Sequence, residues 1–478
     1  MLLRHSAFYL FARGVPALVN FAALALYTRL LAANEFGRYA LVLAAIGFSD
    51  VIIFQWLRLV LTRYLPAHRD DLDRFLGGML ALFLLLALTV TGAGALLAWF
   101  WPDRVWQRLV ALAVALLLAQ AWLELNLTLA TASLAPERYG RLLMSKAGLA
   151  LAIGGWLAWI GLGAYAPLTG LLAGNAIVAM VFGMAAWRGI RARWAPTEEI
   201  RRHLRYGLPL TATFALGWIV SASDRFLVAW LMNEAAVGNY AVGYDLAQQS
   251  VGVLLAIVNT AAYPLAVHAL EQQGPLGARA QLEQNGSLII AIALAGAAGL
   301  IVLAPGILQL LVGAEFRSGT STVLPWIAAA AAVAGIKAFH LDIAFHLAAK
   351  SKYLILVTAV AAATNIVLNL LLIPTFGILG AAWATLAAYT AAATSSAWLG
   401  RRIFSMPPLR PLLLKGCAVA VGAMLGAHFG MLLFQTSVAL SLLSGLISGA
   451  TCAAATAVLV NVAKLRTSLQ RRLVGSGQ

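Results

Sequence analysis

The sequence predicts an all-α integral membrane protein, and three observations carry that prediction. Apolar residues make up 62% of the 478-residue chain and charged residues only 10%, a balance that a water-facing surface does not sustain. The apolar residues come in continuous runs of about 20, the length a helix needs to cross the hydrocarbon of a bilayer, and not in the alternating pattern of a membrane barrel. Nothing between the runs is long enough for a separate soluble domain. Only helices and closed barrels satisfy their backbone in lipid, so helices it is.

Hydropathy places about fourteen such spans along the chain. The first six cover 7–31, 38–61, 75–101, 105–134, 147–163 and 167–187. A basic connection over 188–205, RGIRARWAPTEEIRRHLR, follows them. The next six cover 206–231, 237–266, 285–312, 322–348, 353–373 and 377–399. Two more, over 412–434 and 438–462, come after the linker RRIFSMPPLRPLLLKG.

The halves echo each other. Asn34-Glu35-Phe36-Gly37-Arg38-Tyr39-Ala40 joins the first two spans. Asn233-Glu234 with Val237-Gly238-Asn239-Tyr240-Ala241 joins the seventh and eighth, with Ala235 and Ala236 as extra residues. The second copy predicts a tight turn over 233–238. Duplicated helix pairs in an apolar chain indicate a transporter built from repeats. Six spans per repeat is an even number, so both repeats enter the membrane from the same side, related by an axis along its normal. The predicted organisation is a six-helix bundle over 1–187, the basic linker over 188–205, a second six-helix bundle over 206–400, and two further helices with a tail over 401–478.

Charge sets the orientation. The formal net charge is +16 and the pI about 10.4, yet the basic residues cluster where topology explains them. The N-terminus, the even-numbered connections and the C-terminus hold 24 of the 33 Lys and Arg, against four (Arg38, Arg104, Arg108 and Arg317) in the odd-numbered connections. Basic residues stay on the cytoplasmic side, so both termini are expected there, and no nucleic-acid partner is expected. Cys417 and Cys452 lie in apolar runs and predict neither a disulfide framework nor a metal cluster. The first apolar run is long, contains Arg13 and leads straight into the repeat, so it does not read as a cleavable signal peptide. Phosphate-loop spacing is absent, His residues lack metal spacing, and no catalytic triad is legible. No catalytic residue, metal or cofactor is expected.

Several stretches resemble a known family. GRYALVLAA, YGLPL, SDRFLVAWLMNEAAVGNYAVGYDLA, LVGAEFRSG and NIVLNLLLIPTFGILGAAWATL are similar to polysaccharide flippases of the Wzx type, within the multidrug/oligosaccharidyl-lipid/polysaccharide exporter superfamily. The similarity extends over about the first 400 residues. It implies two six-helix bundles around a central cavity that opens alternately to either side. It also implies translocation of undecaprenyl-pyrophosphate-linked sugar repeat units across a bacterial inner membrane for surface polysaccharide synthesis. Its expected partners are the lipid-linked glycan, membrane lipids, a polysaccharide polymerase and glycosyltransferases.

Ionisable groups inside spans are costly and mark pathways or ion sites. Arg13, Lys337, Arg58 and Arg225 are the candidate cations for a pyrophosphate headgroup, with Arg suited to bidentate phosphate contact. Arg13 shares a helix face with Asn20 and Tyr27 at seven-residue spacing, and Pro16 follows as a kink point. Its alternative role is to snorkel to headgroups. Arg29, Arg58 and Arg225 sit nearer helix ends, where interfacial anchoring is the favoured reading and a cavity role the alternative. Lys337 has His340 about one turn on. Asp342 with His346, at i,i+4, reads as a local pair.

Asn20, Asp50, Glu124, Asp245, Gln248 and Gln249 form the polar candidates for sugar contact or for proton or sodium coupling. Tyr244 with Gln248 and Asp245 with Gln249 make two adjacent i,i+4 pairs; a hydrogen-bonded patch between helices is the alternative. Two other functions fit less of the sequence. A cation-coupled multidrug antiporter of the same superfamily would use the acids but not the embedded cations. A membrane glycan ligase would need a sizeable outer loop, and every outer connection is short.

Overall fold

In the computed structural model residues 2–434 and 436–466 are described, with side chains described from position 16 onward except at 69. Among them the chain is helical, with no strand. The helices are α1 (Leu2–Leu30), α2 (Ala33–Tyr64), α3 (Leu72–Phe100), α4 (Arg104–Ala132), α5 (Pro136–Trp159), α6 (Tyr165–Val178) and α7 (Thr197–Leu231). Then come α8 (Glu234–Ala247), α9 (Val253–Leu311), α10 (Ala314–Ile336), α11 (Ile343–Leu347), α12 (Lys352–Ile403), α13 (Leu409–Leu432) and α14 (Val438–Leu459).

Eleven helical stretches among the described residues are long and apolar enough to cross a membrane. Two of them, Glu234–Leu311 with 78 residues and Lys352–Ile403 with 52, far exceed the roughly 20 residues of one span. Each is broken by a glycine in the left-handed region, Gly274 at φ 69° and Gly377 at φ 57°, a conformation that costs other residues about 1–2 kcal/mol. The sequence count of about fourteen divides both stretches near these glycines and adds α1, whose first 15 side chains lie outside the described residues.

Two local expectations are corrected. The turn expected over 233–238 is confined to Met232 and Asn233: the Asn233 side chain accepts from the Ala236 amide at 2.9 Å, and this cap starts α8 at Glu234. Gly238 is therefore already helical and buried. Likewise only half of the 188–205 linker, residues 188–196, is non-helical. Pro196 precedes Thr197, and Glu198 and Glu199 occupy the first turn of α7, where carboxylates favour the positive end of the helix dipole.

The chain divides into two compact units, residues 1–226 and 227–478. In the first unit Phe54, Leu57, Leu61, Met79, Leu109 and Leu116 form the core shared by α2, α3 and α4. Gly154 and Gly170 let α5 and α6 touch through their backbones; a Cβ on Gly170 would overlap Gly154 and the Ala150 carbonyl. Most of α7 belongs to this unit, since the Trp218 indole donates to the Ala44 carbonyl at 3.1 Å and Gly207 sits against Trp56.

One end of the unit gathers the even connections. The Arg193 amide bonds the Gly77 carbonyl at 3.1 Å. Trp187 Nε1 and Arg138 Nη2 both donate to Asn126 Oδ1, at 3.0 and 3.2 Å, and Arg138 also reaches the Gly183 carbonyl.

In the second unit α9, α10 and α12 pack together, and α13 and α14 add onto α9. Gly416 meets Ile290 of α9, while Leu303, Ala427 and Leu442 join α9, α13 and α14 in one cluster. Gly422, Gly426 and Gly430 allow α13 and α14 a close approach. Exposed Leu88, Trp99, Phe100, Trp156, Leu414 and Leu443 give both units the apolar exterior a bilayer requires.

Candidate functional site: a charged cavity in the first unit

α2 and α4 pack through leucines, but one stripe of each is polar, and there the helices part. Asp50, Gln55, Arg58, Leu59 and Thr62 of α2 face Gln120, Glu124 and Thr128 of α4 across a cavity of about 350 Å³. The spacing explains the convergence: 55, 58 and 62 follow i, i+3, i+7, and 120, 124 and 128 follow i, i+4, i+8.

Arg58 is the centre of the arrangement. Its Nη2 pairs with Asp50 Oδ2 at 2.8 Å, with the two side chains only 11% and 8% exposed. Its Nε donates to Gln55 Oε1 at 3.0 Å. Nη1 donates to none of the described residues. Arg58 thus behaves as a held guanidinium with one edge free, and not as an interfacial anchor.

The acids are less satisfied. Asp50 Oδ1 is buried without a hydrogen bond, and Glu124 has no ion-pair partner among the described residues. Thr62 and Thr128 return their hydroxyl protons to the Arg58 and Glu124 carbonyls, at 2.9 and 2.7 Å, so toward the cavity they can only accept. With two carboxylates to one guanidinium, the cavity is acidic on balance.

Lys337 occupies the second unit, and its setting differs from the expected one. A π turn over Lys337–Leu341 widens the helix so that residues five apart come together, and Lys337 Nζ meets Asp342 Oδ2 at 2.7 Å. Ser396 of α12 donates to Asp342 Oδ1 at 2.6 Å. Asp342 therefore pairs with Lys337, not with His346, because the π turn shifts the register that an α-helix would have kept. His340 is buried at 1% exposure and its Nδ1 lacks a partner.

The other candidates scatter. Arg13 lies outside the residues whose side chains are described. Asn20 is exposed, whereas Tyr27 is buried against Gly154 of α5. Arg225 is half-buried beside fully buried Asp224, and both have partners. Asp245 is half-buried at the end of α8, where Gln248 and Gln249 open a second π turn, Gln248–Gly252. Gln249 Oε1 is buried without a partner.

Of the predicted site residues the structure therefore unites Asp50, Arg58 and Glu124. It adds Gln55, Gln120, Thr62 and Thr128, which the polar stripes of α2 and α4 would have disclosed. Apart from this cavity, in the second unit, Asn365, Asn369 and Thr385 of α12 are fully buried, the last within 3.1 Å of the Tyr240 hydroxyl.

A model of the family described as polysaccharide biosynthesis protein matches residues 26–320. The chain belongs to that family. The match includes every residue of the α2–α4 cavity and ends before Lys337. Among curated proteins none matches this family member by sequence. Among solved structures it is similar to the lipid II flippase MurJ in an inward closed conformation, with TM-score 0.73 at 12% identity, over 94% of this chain and 98% of that one.

It is also similar to an inward-facing multidrug resistance MATE family transporter of the MOP superfamily, with TM-score 0.61 at 15% identity, over 81% and 94%. A MOP superfamily transporter from Pyrococcus furiosus aligns with TM-score 0.59 at 15% identity, over 84% and 94%. The fold is that of MOP-superfamily transporters.

Proposed function

We infer that this multi-pass membrane protein is a flippase that moves a lipid-linked oligosaccharide across the bacterial inner membrane by alternating access, for surface polysaccharide synthesis. One observation carries the reading: a charged cavity of about 350 Å³ in a bundle with an apolar exterior, in a chain of the polysaccharide biosynthesis family. A headgroup bearing phosphate and hydroxyls needs such a compartment, because fixed polar groups replace the water it loses. The free edge of Arg58 is suited to a phosphate oxygen. Gln120, Glu124 and the threonine oxygens are suited to sugar hydroxyls. The substrate is an undecaprenyl-pyrophosphate-linked repeat unit, and both termini are cytoplasmic on the basis of the 24-to-four distribution of basic residues.

The excess of acid has a role in this scheme. Glu124 and the unpartnered oxygen of Asp50 take up a proton or sodium ion when the headgroup is absent, coupling its movement to an ion gradient. The same excess favours a second reading, export of cationic drugs. Deletion of the gene separates the two: loss of surface glycan with unchanged drug sensitivity supports the flippase, and drug sensitivity with normal glycan supports the antiporter.

A further inference from the structure

A second cavity, of about 620 Å³, lies outside the site above, where α2 ends and α7 begins. It is lined by Tyr64, Glu198, Arg201, Arg202, Arg205 and Tyr206, and its size is that of a small-molecule pocket. The positions 198, 201, 202 and 205 follow i, i+3, i+4, i+7, one face of α7. An adjoining face of α7 holds the helix against the bundle. His203 is fully buried with its ring 5.1 Å from that of Tyr64 and 6.1 Å from that of Phe75, and Gly207 rests on Trp56. Folding thus clamps α7 in place and turns three guanidiniums into the cleft.

Those guanidiniums are unspent. None of Arg201, Arg202 and Arg205 has an ion pair with a described residue; Arg202 lies 5.9 Å from the Tyr64 ring centroid. Arg201 and Arg205 are like charges at i,i+4, which weakens a helix, and only Glu198 offsets the cluster. All five of Arg191, Arg193, Arg201, Arg202 and Arg205 are exposed, but a plain topology signal does not need three of them gathered on one helix face around a cleft. Three planar forks with five N–H donors each, beside two phenols, match a group that offers several anionic oxygens in a small space.

We propose that this cleft binds a phosphoester anion, a diphosphate above a monophosphate, and receives the substrate headgroup on the basic side of the membrane. The proposal rests on the flippase reading for the source of that headgroup. Tyr64 of the cleft and Arg58 of the inner cavity are six residues apart on α2, about 9 Å along its axis. A headgroup released by the arginines of α7 therefore has a second guanidinium within one short step.

The test uses the full chain in phosphatidylcholine nanodiscs, with farnesyl diphosphate and inorganic pyrophosphate as probes, read by native mass spectrometry. Arg201→Gln with Arg205→Gln weakens farnesyl diphosphate binding about tenfold or more, as loss of charged hydrogen bonds does. The matching Arg→Lys pair retains part of it. Glu198→Gln tightens binding, a gain that misfolding does not produce. Competition by inorganic pyrophosphate at equal concentration makes the anion itself the ligand; absence of competition makes it the lipid-borne headgroup, and both support the cleft.

Equal weakening by Arg191→Gln with Arg193→Gln, or no response to Arg201→Gln with Arg205→Gln, overturns it. Because binding is read without transport, a wild-type protein that flips but ignores these arginines loses only the cleft. One that binds but does not flip loses only the flippase reading.

Discussion

Removing either member of the Arg58–Asp50 pair is the sharpest probe of the inner cavity. The contact is 2.8 Å long and both side chains are about nine-tenths buried. In Asp50→Asn the guanidinium loses its counter-charge and keeps only neutral acceptors, Gln55 among them, and in Arg58→Gln the carboxylate loses its only counter-charge among the described residues, in a wall that already holds Glu124. Breaking a buried pair from one side costs about 3–5 kcal/mol. The cavity admits water, which screens the orphaned charge, so a smaller cost, about 2–3 kcal/mol, is expected for each single variant.

The double variant Asp50→Asn with Arg58→Gln carries no orphaned charge and is expected to fall short of the summed single losses by about 1.5–3 kcal/mol, the coupling of the pair. Thermal unfolding of the four proteins in one detergent completes the cycle. Additive losses, with no recovery in the double variant, would mean that the pair does not exist in the folded protein and that the electrostatics described for the cavity are mistaken.

Other expectations follow from single contacts. Ser396→Ala removes a 2.6 Å hydrogen bond to the Asp342 carboxylate and is expected to lower stability by about 1.5–3 kcal/mol, visible as a reduced Tm with no change in oligomeric state. Asn233→Ala deletes the cap of α8 and is expected to cost about 1 kcal/mol; Asn233→Asp, which keeps an acceptor, restores it. Gly170→Val drives a side chain into the α5 backbone, and the expected outcome is loss of folded protein in the membrane fraction, whereas Gly148→Ala, with open space around it, is tolerated. Glu124→Gln is expected to leave headgroup binding intact while abolishing the dependence of transport on an imposed ion gradient; retention of that dependence assigns coupling elsewhere.

The sequence made the architecture legible because hydropathy and membrane thickness leave a helix few alternatives. Runs of apolar residues, the echo around Glu35 and Glu234, and the basic connections are all one-dimensional signals. What it concealed were contacts set by helix register. Asp50 and Arg58 stand eight apart, a spacing at which a regular helix does not place two side chains side by side, and only the length of an arginine closes the gap. Lys337 and Asp342 meet because of a π turn, and no residue in KAFHL announces one. The exposure of Asn20 was hidden for a related reason: its helix touches α5 at Tyr27, two turns away. The stripe Gln120-Glu124-Thr128 was there to be read, and it would have pointed at the cavity.

In the proposed mechanism the charged cavity between α2 and α4 conducts a phosphate-bearing headgroup. Vesicles containing the purified protein and a fluorescent lipid-linked diphosphate sugar measure this directly, with an impermeant quencher counting the headgroups that reach the far leaflet. Wild-type protein is predicted to expose the inner pool within the assay, and Arg58→Gln, verified as folded, to slow that exposure by about a hundredfold, as loss of a buried charge contact of about 2.7 kcal/mol would. Equal rates for Arg58→Gln and wild type would rule out a role for this guanidinium and move the pathway away from this cavity.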